Sequence, residues 1–259
     1  MAATQWKIVG ASVTGFSHQA QGLPCQDFHA VSEFEGGWLA GAVSDGAGSA
    51  SRSAQGAKVL CEGILSQIGS RLNQFGGGGE AYIDETVVRL WVEEDVELAR
   101  SRLDITGGGT LAEFHATLVG VVAGPSGGVF FHIGDGAGCA TIADTLSSSI
   151  MSLPENGEYA NETYFFTQAD WKDHLRLTSF GPEFNLIALM SDGVTPFALA
   201  PGEVGPHAPF FDPVSKFLVS HSREEGEFAL IATLEKDLIR RITGDDKTLV
   251  WAVRVGSDG

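Results

Sequence analysis

The run Trp38-Leu39-Ala40-Gly41-Ala42-Val43 passes directly into Ser44-Asp45-Gly46-Ala47-Gly48. An apolar stretch of this kind reads as a strand, and an aspartate followed by glycines stands where the strand runs out. Two further strands end the same way, at His132-Ile133-Gly134-Asp135-Gly136 and Leu189-Met190-Ser191-Asp192-Gly193. Asp245-Asp246 stands immediately before the last strand, and Gln26-Asp27 just before Phe28. An acidic side chain at the rim of a sheet is well placed for a divalent metal, and a glycine behind it lets a backbone carbonyl approach as a further ligand. Oxygen donors with no His or Cys inside these motifs favour Mg²⁺ or Mn²⁺ over zinc. Asp-Gly is also a common way to write a tight turn. Spacing alone leaves turn and metal site both open, except that Val194-Thr195-Pro196-Phe197 does not alternate as a returning strand would.

Working outward, strands are expected over Lys7–Val13, Trp38–Ser44, Phe114–Ala123, Val129–Ile133, Tyr164–Thr167, Leu186–Met190 and Thr248–Val253. Several are apolar on both parities, as in Leu186-Ile187-Ala188-Leu189-Met190, which predicts burial on both faces. Between them the period is helical. Ala57, Leu60, Cys61, Ile64, Leu65, Ile68 and Leu72 form one stripe, and Val87, Val88, Trp91, Leu98 and Leu103 a second, interrupted by Asp95. A third helix is expected through Phe228, Ile231, Leu234, Leu238 and Ile239. Gly76–Gly79 reads as the tip of a helical hairpin, and Asp144–Asn161 as a surface excursion. The order predicts a single domain over 1–259, an α+β chain with sheet in the middle and helices outside.

The chain has 259 residues, 43% of them hydrophobic, and can build a core without disulfides or metal. Against 33 acidic residues stand 16 basic ones, for a net charge of −17. Such a field repels phosphate backbones and anionic headgroups, which argues against a nucleic-acid or membrane-surface protein. The expectation is cytoplasmic: no signal-peptide pattern or bilayer-length apolar run is present, and Cys25, Cys61 and Cys139 are isolated and odd in number.

In their order along the chain these segments resemble the metal-dependent type 2C Ser/Thr protein phosphatases, most closely the compact stand-alone bacterial members. Gly15…Gln26-Asp27 is similar to the opening element of that family, and Val43-Ser44-Asp45-Gly46-Ala47-Gly48 to its Asp-Gly-x-Gly signature. Ala116-Thr117-Leu118 and Gly134-Asp135-Gly136 resemble the middle elements, Ser191-Asp192-Gly193-Val194 the Ser-Asp-Gly-Leu/Val motif, and Asp245-Asp246-Lys247-Thr248 the closing Asp-Asn/Asp-x-Thr strand. The match runs from Lys7 to Val253. It implies a four-layer α-β-β-α sandwich of two stacked antiparallel sheets, with Mn²⁺ or Mg²⁺ at one end as two ions and in some members a third. Carried over by position, Asp45 would bridge both metals, Gly46 would add its carbonyl, Asp192 and Asp245 would complete the first metal, and Asp135 would help hold the third ion. Asp27 would orient a metal-bound water. The activity implied is hydrolysis of phosphoserine and phosphothreonine in proteins, opposing a Ser/Thr kinase in signal transduction.

The chain departs from the family where many members carry a phosphate-binding Arg five residues before the opening Asp; here Gly22 stands there. Animal members place a His after Asp-Gly, where this chain has Ala47, and a further Asp where it has Pro196. His18 is the candidate for the missing phosphate or proton-transfer group, because an imidazole can fill either role near neutral pH. Arg52 is a second candidate. His132 reads as a core histidine and Cys25 as a packed thiol. Glu93-Glu94-Asp95 and Arg223-Glu224-Glu225 read as solvated faces or helix starts, and Gly107-Gly108-Gly109-Thr110 as a loop. The competing readings are a pseudophosphatase that binds phosphoproteins without turnover and a hydrolase of small phosphate esters.

Overall fold

Leu186-Ile187-Ala188-Leu189-Met190 is apolar on both parities because its two faces meet different layers. Ile187 and Leu189 join a core between two sheets, whereas Leu186, Ala188 and Met190 face helices. The computed structural model describes residues 5–75, 83–103, 105, 109–154, 163–200 and 205–256. Among these, one five-stranded antiparallel sheet has the order β1 (Gln5–Val13), β10 (Lys247–Val255), β9 (Leu186–Met190), β6 (Ala137–Thr141), β7 (Ser149–Ser152). The other runs β2 (Phe28–Phe34), β3 (Trp38–Ser44), β4 (Leu118–Gly124), β5 (Gly127–Ile133), β8 (Arg176–Phe180). The same parity logic holds across the stack. Leu39, Val43, Val119, Val121 and Phe130 of the second sheet point at Ile8, Ile187, Leu189 and Val250 of the first.

The outer faces are closed by helices. Trp38, Ala40, Leu118, Val122, Phe131 and Ile133 pack against α2 (Ser53–Phe75) and α3 (Glu85–Ser101) through Leu60, Ile64, Ile68, Val88, Val92 and Val96. Asp84 caps α3, its carboxylate accepting from the Val87 amide at 2.9 Å. On the other side Val9, Ala11, Leu249 and Trp251 meet α4 (Thr195–Ala198), α5 (Ala208–Ser220) and α6 (Arg223–Leu234) through Phe197, Phe211, Leu218, Leu230 and Leu234. The short helices α1 (Phe16–Gln21) and α7 (Asp237–Arg240) lie beside the strand ends before β2 and β10. This is the expected α+β, four-layer sandwich.

Several expectations need correction. Tyr164–Thr167 is not a strand: the Phe165 amide donates to Gln168 Oε1 at 2.8 Å, and Phe166 turns inward to a buried position. The strand expected from Phe114 begins only at Leu118, because Leu111–Phe114 is a 3₁₀ turn with a Thr110–Glu113 capping box. Within Asp144–Asn161, Ser149–Ser152 pairs with β6 as an edge strand. The third helix is two helices, broken at Glu235-Lys236, and its stripe is a core face only in part: Leu234 and Ile239 are buried, whereas Phe228 is 76% and Leu238 71% exposed. Asp95 is not solvated but buried, with both carboxylate oxygens accepting from Arg71 Nη1 at 2.7 and 2.8 Å. Gly76–Gly79, Gly107-Gly108 and the end of the Asp144–Asn161 stretch lie outside the described residues.

Candidate active site

The ends of β3, β5 and β9 and the segments entering β2 and β10 meet at one edge of the sandwich, and each brings its aspartate there. Asp45 is held by its backbone. Its amide donates to Thr117 Oγ1 at 3.0 Å, its carbonyl accepts from the Thr117 amide at 2.8 Å, and Ser44 Oγ donates to the Thr117 carbonyl at 2.6 Å. Ala116-Thr117 thus continues the sheet past the end of β3, with an isolated bridge from Ala116 to Gly46. A β-carbon at Gly46 would stand 2.7 Å from the Gln26 carbonyl oxygen, so only glycine lets the Asp45 and Asp27 loops approach.

Asp135 leaves β5, and its Oδ2 accepts from Thr163 Oγ1 at 2.6 Å. Asp192 leaves β9, where Ser191 bonds β10 twice: its amide donates to the Thr248 carbonyl at 3.0 Å and its Oγ accepts from the Thr248 amide at 2.9 Å. Ligand oxygens of Asp45, Asp135 and Asp192 all fall within 4.8 Å of one another. Burial, and then the neighbouring charges of Asp27 and Asp192, hold the Asp45 carboxyl well above the usual range. Burial chiefly lifts Asp192 to about 6. Asp27 lies buried behind Asp45; burial lifts it to about 7, with the Ser191 hydroxyl lowering it and the charge of Asp246 raising it. Three carboxyls at this separation repel one another unless something neutralises them. Asp135 Oδ1 and Asp192 Oδ1 are moreover buried without a hydrogen-bond partner among the described residues. Hard oxygen donors of this kind suit a divalent cation such as Mg²⁺ or Mn²⁺.

Asp45, Gly46, Asp135, Asp192 and Asp245 line one open cavity of about 830 Å³. The close trio nevertheless contains Asp135 where Asp245 was expected beside Asp45 and Asp192. Asp245 is exposed on the rim, and its Oδ1 accepts from the Asp246 amide at 2.9 Å. His18 faces the same cavity from α1, its side chain 14% exposed. Among the described lining residues no Lys or Arg occurs. Arg52 points elsewhere, bonded to Gln55 and stacked 4.3 Å from the centroid of the Phe114 ring. His132 is buried in β5 with Nδ1 3.0 Å from Ser152 Oγ, and burial lowers its pKa. Burial and then the charge of Asp27 push the Cys25 thiol up, which makes it inert at neutral pH.

Two participants escaped the sequence reading. Asp246 stands in the Asp245-Asp246 pair, but the family resemblance implies a role only for its neighbour. Its carboxylate accepts from the amides of Gly15 and Gln26, each at 2.6 Å, and so ties the opening loop to β10. Thr163, which bonds Asp135, sits in a stretch with no recognisable pattern.

Two stacked antiparallel sheets with outer helices, and aspartates gathered at the strand ends around one cavity, form the architecture of the type 2C protein phosphatases. The chain belongs to that family: residues 14–235 match the Protein phosphatase 2C model. A curated relative, Serine/threonine-protein phosphatase 3 of Escherichia coli (strain K12), is 28% identical over 96% of this chain and 98% of its own. With the family, it bears out the expected enzyme class, a protein serine/threonine phosphatase. In fold the chain is similar to a crystal structure of a bacterial serine phosphatase, with TM-score 0.64, 13% identity, and 97% of this chain and 99% of that one covered. It is also similar to the serine/threonine phosphatase Stp1 from Staphylococcus aureus, with TM-score 0.61, 14% identity, and 99% and 96% covered.

Proposed function

We propose that this chain hydrolyses phosphoserine and phosphothreonine in proteins, with Mn²⁺ or Mg²⁺ held by Asp45, Asp135 and Asp192 and by Asp245 and the Gly46 carbonyl at the margin. The observation that carries the reading is the convergence of three carboxylates from three strand ends within 4.8 Å. When bound, the cations would supply a water of lowered pKa and positive charge opposite the phosphoryl oxygens. The chain's own groups do the rest. Asp27, buried behind Asp45, orients the attacking water. His18 presents its imidazole to the cavity and takes the place of the family's phosphate-binding Arg, its Nδ1 held 2.9 Å from Asp246 Oδ2. The open cavity suits a residue carried on a protein loop better than a sequestered small ester.

The sheets share one inter-sheet core, which supports reading 1–259 as a single catalytic domain. Among the described residues no helix is long and apolar enough to cross a membrane. Together with the isolated thiols, this supports a cytoplasmic enzyme that opposes a Ser/Thr kinase in signal transduction.

The direct test is hydrolysis of p-nitrophenyl phosphate and of a phosphothreonine peptide with Mn²⁺, Mg²⁺ or EDTA, beside Asp45→Asn. Turnover that requires the cation and disappears in the variant supports the proposal. The cavity's lack of Lys and Arg favours one second reading, a phosphoprotein-binding pseudophosphatase. Calorimetric binding of Mn²⁺ without turnover would favour it.

A further inference from the structure

Among the described residues around the aspartate-lined cavity, Phe165 is the only large apolar side chain; the rest are carboxylates, hydroxyls, His18, Gln21, Ala47 and glycines. It is half-buried, whereas its neighbour Phe166 is fully buried in the core between sheet and helices. Folding hides one of two adjacent phenylalanines and leaves the other at the cavity wall. The backbone there is fixed from several sides. Thr163 Oγ1 donates to Asp135, the Phe165 amide to Gln168 Oε1 at 2.8 Å, and the Phe166 amide to the Ala116 carbonyl at 3.1 Å. Arg100 Nη1 donates to the Phe166 and Gln168 carbonyls at 2.7 and 2.9 Å. The Phe165 ring stacks on His115, with centroids 4.8 Å apart and planes 12° from parallel, and His115 Nδ1 lies 2.6 Å from Thr167 Oγ1. Ala116 adjoins Thr117, which holds the Asp45 backbone, so the ring and the clustered carboxylates share one frame.

We propose that Phe165 determines substrate specificity: its ring receives an aromatic side chain of the phosphoprotein that flanks the phosphorylated residue. The inference rests on the phosphatase reading for the identity of the partner. His115 covers one face of the ring, so the opposite face and the edge border the cavity. An aromatic side chain sheds water on that surface without stranding a hydrogen-bonding group, and offset or edge-to-face contact adds to the burial. A cationic side chain could also meet a ring face, but ions held by Asp45, Asp135 and Asp192 would already place positive charge nearby and oppose it. Phe165 follows Thr163 by two residues, at most about 7 Å of chain from the group that bonds Asp135. A residue beside the phosphorylated one therefore reaches the ring. Because the ring is held before substrate arrives, little ordering cost opposes the contact.

The test uses phosphothreonine peptides on a Gly-Ser background, with Phe, Leu, Arg or Gly placed at single positions on either side of the phosphothreonine and Mn²⁺ present. The readout is the ratio of kcat/KM between peptides within one enzyme, which cancels any loss common to all substrates. Wild type is expected to favour Phe over Gly by about five- to tenfold at one of these positions, and to favour Phe over Leu and Arg there. Phe165→Ala should bring the Phe/Gly ratio to about one, and Phe165→Leu, which keeps apolar bulk, should make the Phe and Leu peptides equivalent. Phe228→Ala, which alters an exposed phenylalanine on α6 outside the cavity lining, should retain the wild-type ratio. A wild type without the Phe preference, or a preference that survives Phe165→Ala, overturns the proposal. A preference for Arg that Phe165→Ala abolishes overturns it too, because the ring would then be a cation site. If no peptide is hydrolysed with any cation, the phosphatase reading fails instead, and fluorescence anisotropy of the same peptides, labelled, decides the contact. Equal affinity of wild type for the Phe and Gly peptides would then overturn it, and tighter binding of Phe that Phe165→Ala removes would support it.

Discussion

Asp246 Oδ2 lies 2.9 Å from His18 Nδ1, joining residues from opposite ends of the chain beside the aspartate-lined cavity. The same carboxylate receives the Gly15 and Gln26 amides, so one side chain lies against the imidazole and holds the loop that leads to Asp27. Removing it leaves two donors without an acceptor, and removing His18 leaves the loop in place.

His18→Ala is therefore expected to fold normally and to raise KM for p-nitrophenyl phosphate about tenfold or more. Asp246→Asn keeps only one of the two acceptor oxygens and turns an NH2 toward the other amide, so it should lose activity and cost about 1–2 kcal/mol of stability. Asp246→Ala should cost about 3 kcal/mol of stability as well, from stranded amides. Thermal melts beside steady-state kinetics separate the three, and a His18→Ala enzyme with unchanged KM and kcat would remove His18 from the mechanism.

The raised carboxyls predict how the metal-free protein responds to pH. With Asp27 at about 7 and Asp192 at about 6, the native state keeps protons that the unfolded chain, titrating near the ordinary carboxylate value, has already released. The unfolded state thus binds fewer protons between the two ranges, and stability falls as pH rises from about 4 to 7. Melting in EDTA should drop by about 5 °C or more from pH 5 to pH 7.5. Mn²⁺ should restore more at the higher pH, and Asp27→Asn should flatten the slope. A melting temperature that rises over this range in EDTA contradicts the assignment.

Gly193→Ala probes the approach of the Asp192 and Asp246 loops. A β-carbon at 193 would run into the Asp246 backbone carbonyl, so the two loops must part. Loss of Mn²⁺ binding together with a melting point lower by several degrees is expected. Calorimetry that finds wild-type affinity would show that the loops tolerate separation.

Arg71 and Asp95 test the helical layer apart from the site. Asp95 is buried and its partner only partly so; burial raises its pKa, and Arg71 pulls it down. Arg71→Met strands a buried carboxylate and should cost about 3–5 kcal/mol, whereas Arg71→Met with Asp95→Leu should recover most of that. Denaturant melts of the two variants decide it. Equal losses in the single and the double variant would place the energy in packing rather than in the uncompensated charge.

Much of this was legible in the residues alone. Strands apolar on both parities announce layers on both faces, and Leu186–Met190, Trp38–Ser44 and Thr248–Val253 are where they were expected, within a residue or two. Asp45, Asp135 and Asp192 stood out because Asp-Gly at a strand end is a local signal. The edge strands β2, β7 and β8 were missed because an edge needs only one buried face, and the interior strand β6 because Ala137-Gly138-Cys139-Ala140 carries no β-branched or aromatic residue. The helix α5 was missed because Pro209 and Pro213 break its pattern. Phe228 and Leu238 misled because a helical apolar period reports the shape of a stripe, not what covers it.

The sequence by itself determined six of the strands, β1, β3, β4, β5, β9 and β10, the two long helices α2 and α3, where the aspartates fall at the strand ends, and that the donors are hard oxygens. These are properties of short windows, set by period, propensity and turn chemistry. Only the tertiary structure decided that Asp135 rather than Asp245 closes against Asp45 and Asp192, that Arg52 turns away to Phe114, and that Asp246 reaches across to His18. Those outcomes depend on sheet order and strand register, which bring together residues far apart in the chain to within a few ångströms. No local window carries that information, because a contact between distant residues is fixed by the packing of every layer between them.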